Sequence, residues 1–321
     1  MTSVKNTPAE PTEWQAEWSE WLRDWRIHLE GTHAAQTVPT YLRGAQQFLT
    51  YLAANAPEAV EPGLVTRRHV EGWMSELAKT GKSPATRRVR LMTLRTLFGW
   101  MAQEPGSGVD VSPAGGVRAP EVALTPVRVV TDEDLRAVLA TCSTASFTDL
   151  RDAAMLRVLI ACGLRRAELV TLDLPDVDLN RGDLLIHGKG GKPRLVSIGS
   201  SKTALGLSRY LRARRKHPLA AGTAAVFLTT RTTPTSQPRL TGGAVAEMLH
   251  RRCRTAGVPE FHPHALRHAW ADANKRAGLS DEDLERMAGW SSPLMVRRYG
   301  RALADGRARD AHDRLKAGDR V

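Results

Sequence analysis

Cysteine is scarce in this chain of 321 residues: only Cys142, Cys162 and Cys253, with no CxxC pair among them. So few and so widely spaced, they exclude a disulfide scaffold and a zinc ribbon and suit a reducing compartment. No apolar run approaches the roughly 20 residues that cross a bilayer, so no membrane partner is expected. The opening MTSVKNTPAEPTEW has no apolar stretch of the kind a secretory leader carries, and a cytoplasmic protein is expected. HExxH and GxSxG are absent, and the GKGGK of residues 188–192 lacks Walker spacing and lies between two strand-like segments. Asp176-Val-Asp178-Leu-Asn180 begins like a calcium loop. Its sixth position is Arg181 rather than glycine and its twelfth is His187 rather than glutamate, so a calcium site is rejected. Tyrosine is rare as well, with four residues: Tyr41, Tyr51, Tyr210 and Tyr299.

Basic charge is plentiful and unevenly spread. Residues 1–120 carry 13 basic and 12 acidic side chains, whereas residues 121–321 carry 33 and 22. A basic half fits a polyanion partner, nucleic acid first, and equally fits a merely soluble basic protein. The length favours two domains.

Apolar periodicity predicts helices over most of the chain. In residues 14–32, Trp14, Trp18, Trp21 and Trp25 share one helix face. With Glu13, Glu17, Glu20 and Asp24 close by, that face reads as core or protomer packing rather than a base-stacking platform. Further helices are expected at Thr37–Ala54, Thr66–Ala78 and Ser83–Met101. The last of these and its approach carry Lys82, Arg87, Arg88, Arg90 and Arg95 with no acid between them, which favours phosphate contact over a solvated face. Residues 107–126, rich in Gly and Pro, read as a linker. Beyond it, helices are expected at Asp149–Cys162, Arg165–Leu172, Lys202–Lys216, Thr241–Ala256, His264–Ala277 and Ser280–Gly289. Asp183–His187 and Arg194–Ile198 form a hairpin around the six-residue tip GKGGKP.

A set of cationic and aromatic residues then stands in a particular order: GLRRAEL at 163–169, FHPHALRH at 261–268 with His264-x-x-Arg267, AGW at 288–290, and RRYGR at 297–301 with Tyr299 nine residues after Trp290. Together with Lys189 in the hairpin, this order resembles the tyrosine recombinases, the phage-integrase-type site-specific recombinases, over roughly residues 127–303. The helical N-terminal region is a weaker likeness to that family's core-binding domain.

The resemblance implies a mainly α fold with a small β-sheet or hairpin (α+β): a helical core-binding domain at 14–106 that clamps DNA, and a mixed catalytic domain at 127–303. Residues 1–13 are expected to be disordered, and 304–321 to form a tail that docks on a neighbouring protomer. It also implies the roles. Arg165 and Arg267 grip the non-bridging phosphate oxygens. Lys189 protonates the leaving 5′-oxygen, and His264 contacts the phosphate and transfers protons. Tyr299 is the nucleophile. Glu168 orients a neighbour, and His268 is structural, paired with Glu168. Trp290 stands where most members have histidine; an indole can donate a hydrogen bond and pack but moves no proton at neutral pH. Such a set suits phosphodiester transfer without metal or cofactor, because the transition state needs positioning and charge stabilisation.

The expected partner is double-stranded DNA with a specific recombination site, bound by a tetramer, as for integration by a mobile genetic element. Two alternatives stand beside this reading: a type IB-like topoisomerase, against which the tail and the two-domain clamp argue, and a non-catalytic DNA-binding regulator on the same scaffold, which should have lost part of the set that this sequence retains.

Overall fold

The structure, a computed structural model, describes residues 13–59, 61–122, 130–188, 193–230, 237–290 and 304–315. The chain divides into two compact units between Leu124 and Thr125. It is mainly helical, with a single three-stranded antiparallel sheet among the described residues, as the resemblance implies. Among those residues no helix is long and apolar enough to cross a membrane, and no group of three His, Cys, Asp or Glu could hold a metal ion.

The N-terminal unit contains α1 (Glu13–Thr32), α2 (Val38–Asn55), α3 (Arg67–Lys79) and α4 (Pro84–Met101). α4 begins where the sequence signals it: the Ser83 hydroxyl accepts the Thr86 amide at 3.2 Å and Pro84 opens the first turn. Trp18, Trp21 and Trp25 of the α1 stripe pack into the core. Trp18 and Trp25 are fully buried, Trp18 meets Phe98 edge-on at 6.4 Å, and Trp21 meets Trp100 at 6.0 Å.

The expected linker at 107–126 turns out differently. Its first half folds onto this unit, burying Val109, Ala114 and Val117. The Ser107 hydroxyl donates to the Met101 carbonyl at 2.6 Å, and Arg95 donates to the carbonyls of Ala114 and Val117 at 3.2 and 2.6 Å. Apolar side chains in an irregular segment have no period, so the sequence pattern reads as a linker although the segment is packed. Arg95, expected to meet DNA, is engaged in this internal staple. Of its companions, Lys82 and Arg88 are exposed, while Arg87 and Arg90 are half-buried.

The C-terminal unit contains α5 (Asp132–Ala140), α6 (Phe147–Cys162), α7 (Arg166–Thr171), β1 (Val177–Asp178), β2 (Asp183–His187), β3 (Pro193–Ser197), α8 (Ser201–Arg215), α9 (Gly242–Ala256), α10 (Pro263–Arg276), α11 (Asp281–Ala288) and α12 (Ala304–Leu315). α6, apolar on most sides, is the central helix, and Ala154, Met155, Val158 and Leu159 are fully buried. The order β1-β2-β3 pairs Leu184 with Val196 and Ile186 with Arg194. Pro193 pairs with His187, so the hairpin tip has five residues rather than six; proline is tolerated at the first position of an edge strand, where its missing N–H is not needed. In the rejected calcium segment, Asp178 accepts the amides of Asn180 and Arg181 at 3.0 Å, and Asp176 meets His187 at 3.0 Å.

A buried charge network ties α6 to α9. Asp152, wholly inaccessible, accepts Arg151 at 3.0 Å, Arg251 at 2.8 Å and Arg252 at 2.7 Å. Asp149 accepts Arg252 at 2.6 Å and the Thr144 hydroxyl at 2.6 Å. The Thr144 hydroxyl foremost, then Arg252, hold the Asp149 carboxyl down at about 2. A depressed carboxyl stabilises the fold fully above its ordinary value and loses that contribution as pH falls through the depressed one. Asp149→Asn is therefore expected to cost about 2 kcal/mol near neutral pH. Urea titrations should show the gap to wild type closing between about pH 4 and pH 2; a gap that is constant with pH contradicts this account.

Candidate active site

The GLRR turn joins α6 to α7. Gly163 ends α6 in the left-handed conformation, φ +58°, and a Cβ there would fall inside the indole of Trp270, whose Nε1 donates to the Ala161 carbonyl at 3.0 Å. Glycine alone fits that turn. The turn delivers Arg165 to the N-cap of α7.

Glu168, three residues on, folds back over the turn. One oxygen accepts the Arg165 amide at 2.8 Å, and the other accepts the Arg165 guanidinium at 2.7 Å. Arg194 of β3 grips the same carboxylate with both terminal nitrogens, at 3.0 and 2.9 Å. Burial by itself would raise the Glu168 carboxyl; Arg194 and Arg165 outweigh it and hold the group below the ordinary glutamate value. Among the described residues Glu168 is held by Arg165 and Arg194 rather than by the expected His268. Two arginines saturate the carboxylate, and His268 lies edge-on to His264 with ring centres 4.9 Å apart.

Three guanidiniums meet at the C-terminal end of α11. Arg194 donates to the Met287 carbonyl at 2.9 Å, Arg267 to Ala288 at 2.5 Å, and Arg165 to Gly289 at 3.0 Å. These are orphan carbonyls at the negative end of a helix, where cations are favoured. Gly289 closes the helix at φ +62°, and a Cβ on it would stand 2.9 Å from the Arg194 guanidinium. Arg267 is 1% exposed, also donates to the Gly163 carbonyl at 2.6 Å, and lies under Trp290 at 5.2 Å from the ring centre. Trp290 is 6% exposed and packs with Trp270, Leu284 and Ala288.

A cleft of about 410 Å³ opens at this point, lined in part by Arg165, Arg166, His262, His264 and Arg267. Among the expected site residues, the structure therefore gathers Arg165, His264 and Arg267 at one cleft, with Glu168, His268 and Trp290 around them. Lys189 and Tyr299 lie outside the described residues. The other three tyrosines are all packed. Tyr41 stacks on Trp25, and Tyr51 stacks on Phe48. The Tyr210 hydroxyl donates to the Val226 carbonyl at 3.0 Å, and burial pushes it up to about 12.

Motif reading did not single out Arg194, and it set aside Arg166 as the neighbour of Arg165 and His262 as a loop residue, although both line the cleft. For Arg194 the signal is present: it lies two residues before Val196 on the inward face of β3, where a cation requires a buried partner. Arg194→Ala leaves Glu168 with half its partners and removes one hold on α11. A loss of about 3 kcal/mol is expected, with only part recovered by Arg194→Lys, since an ammonium cannot span both carboxylate oxygens and a carbonyl. With the Glu168 carboxyl held low, this contribution is present above the ordinary glutamate value and declines in acid. Chemical denaturation of the three proteins at two pH values checks both statements.

The chain matches the profile of the phage integrase family over residues 128–305 and that of the phage integrase N-terminal SAM-like domain over residues 21–105. Tyrosine recombinase XerC of Myxococcus xanthus is 30% identical over 286 residues, 87% of this chain and 91% of that protein. Tyrosine recombinase XerD of Bifidobacterium longum is 28% identical, over 85% and 89%. The fold is similar to that of XerH bound to palindromic difH, with a TM-score of 0.69 at 17% identity over 90% of this chain and 84% of that one. It is likewise similar to a lambda integrase tetramer bound to a Holliday junction, with a TM-score of 0.66 at 17% identity over 92% and 82%. With a glycine-turned arginine, a buried arginine under an indole and a histidine at one cleft, and with family profiles covering both units, the chain belongs to the phage integrase family of tyrosine recombinases.

Proposed function

We propose that the chain cleaves and rejoins DNA at a specific site through a 3′-phosphotyrosyl intermediate. The observation that carries this reading is the convergence of Arg165, His264 and Arg267 on one cleft with no carboxylate among its described lining residues. The cleft is thus suited to a phosphodiester passing through a dianionic transition state. Tyr299 is the nucleophile by its place in the motif, and the packing of the other three tyrosines supports the choice.

The Tyr299 oxygen forms a bond to phosphorus and gives up its phenolic proton to His264. The bond to the 5′-oxygen breaks, and that oxygen takes a proton from Lys189. A 5′-hydroxyl of a second duplex then attacks the phosphotyrosyl bond and releases the phenol. Ester bonds are exchanged one for one, so no nucleotide hydrolysis is needed. Arg165 and Arg267 stabilise the charge on the non-bridging oxygens, while Trp290 packs on Arg267 and contributes its N–H but no proton transfer.

The relatives point to the assembly. XerH was solved with difH DNA and lambda integrase as a tetramer on a Holliday junction. Four copies of this chain exchanging strands in pairs fit the same scheme, with α12 as the segment offered to a neighbour and the exposed Lys82 and Arg88 of the N-terminal unit on the duplex.

The test is capture of covalent DNA. Tagged wild type and Tyr299→Phe are expressed in the native host, lysed into denaturant, captured, and the attached DNA is sequenced. DNA retained by wild type alone, in clustered reads, is the expected result. Scattered reads mean a topoisomerase. DNA retained by neither protein, with both bound to DNA under native crosslinking, favours the regulator. On the captured site, Arg165→Ala is expected to lower the cleavage rate by about 10²–10³-fold, measured as formation of covalent complex in single turnover.

A further inference from the structure

Two side chains in the cleft are not used by the chemistry above. Arg166 is the first residue of α7 and exposed; His262 is the N-cap of α10 and exposed. Neither side chain has a hydrogen-bond or ion-pair partner among the described residues, in contrast to Arg165, which is held by Glu168 and the Gly289 carbonyl. Both line the cleft, one residue after Arg165 and two residues before His264.

Their surroundings add positive potential, and the Glu168 carboxylate behind the cleft is taken up by Arg165 and Arg194. No Asp or Glu is among the described residues lining the cleft. α10 points its N-terminal turn there, through His262, Pro263 and His264. The Arg166 guanidinium also stands over the first turn of α9. A Cβ on Gly242 would lie 3.1 Å from its Nε, so the absence of a side chain at Gly242 leaves the arginine its place. A cation beside a helix N-terminus is unfavourable by itself. An arginine and a histidine left unpaired beside two such termini form a binding site for an anion.

We propose that Arg166 and His262 form a second phosphate subsite, which takes the phosphodiester next to the reacting one on the cleaved strand. This deepens the cleavage reading above and rests on it. Arg165, Arg267 and His264 hold the phosphate that reacts; Arg166 and His262 hold its neighbour and set the position of the strand along the cleft. They are positioning residues that act through binding and contribute no chemical step.

The test uses the full chain, a short duplex of arbitrary sequence, and a duplex carrying the captured site. Each phosphate that a variant no longer neutralises is expected to lower the slope of log Kobs against log salt by about 0.9. Arg166→Gln should show this on either duplex, while Arg166→Lys keeps the wild-type slope; His262→Ala, which removes a hydrogen-bonding ring rather than a guanidinium charge, should weaken binding with little change of slope. Arg166 is exposed and without a partner among the described residues, so Arg166→Gln should melt with the wild type. On the captured site, a neutral methylphosphonate next to the cleaved phosphate should weaken wild type but weaken Arg166→Gln no further. Covalent complex formed by Arg166→Gln should recover at saturating protein, since binding rather than chemistry is impaired.

A wild-type slope in Arg166→Gln, wild-type affinity in His262→Ala, or equal weakening of wild type and Arg166→Gln by the methylphosphonate, overturns the subsite even where wild type traps DNA normally. Failure of wild type itself to trap any DNA overturns the cleavage reading. A changed slope would then leave a phosphate site in the cleft while removing its assignment to a cleaved strand.

Discussion

The last carbonyls of α11 are held by three guanidiniums, and the rest of the site depends on that junction. Arg165 comes from the turn between α6 and α7, Arg194 from β3, and Arg267 from α10. Each donates to one of the consecutive carbonyls of Met287, Ala288 and Gly289. A helix end that would otherwise expose orphan acceptors becomes the place where three separate parts of the C-terminal unit are joined. Glu168 completes the arrangement by pairing with Arg165 and Arg194 at once, so that one negative charge is shared between two cations. Without it, three cations would crowd one helix end with too little opposite charge; with it, the cluster is a positioned network rather than a repulsive one.

That junction explains why glycine is needed at two points. At Gly163 the chain turns through a left-handed conformation directly against Trp270. At Gly289 it does so against Arg194, and a side chain at either position would displace a member of the cluster. It also explains what tryptophan does at position 290. Trp290 leaves α11 immediately after the held carbonyls and lies over Arg267. The buried guanidinium thus has carbonyls on two of its nitrogens and an aromatic face beside it. An indole there trades a titratable ring for a fixed packing surface.

The N-terminal unit follows a different logic. Its stability comes from aromatic burial, with Trp18, Trp25, Phe48, Trp73 and Phe98 in one core. Its cationic residues divide between the surface and the interior. Arg88 and Lys82 remain at the surface, whereas Arg95 turns inward to hold the segment after α4. Cationic side chains stay at the surface in one place and satisfy carbonyls in another, and the local supply of unpaired acceptors decides which.

Much of this was determined by sequence alone. Helix periodicity, the serine and proline that open α4, and the order of GLRR, HxxR, AGW and the tyrosine-bearing RRYGR belong to local spacing, and local spacing is legible in one dimension. The tryptophan stripe of α1 could be assigned to packing rather than base stacking because acidic neighbours argue against phosphate. Other features arose only in three dimensions. Arg95 looks like any phosphate-facing arginine until the segment after α4 folds back and presents two carbonyls. His268 looks like a partner for Glu168 until β3 brings Arg194, a better one with a bidentate grip. Arg166 looks like an ordinary helix-surface residue and His262 like an ordinary loop residue until α7, α9 and α10 meet. Sequence determines which groups are charged and which faces are apolar. Tertiary structure decides which charges find a partner and which do not, because pairing depends on distances between residues as far apart in the chain as Arg165 and Gly289.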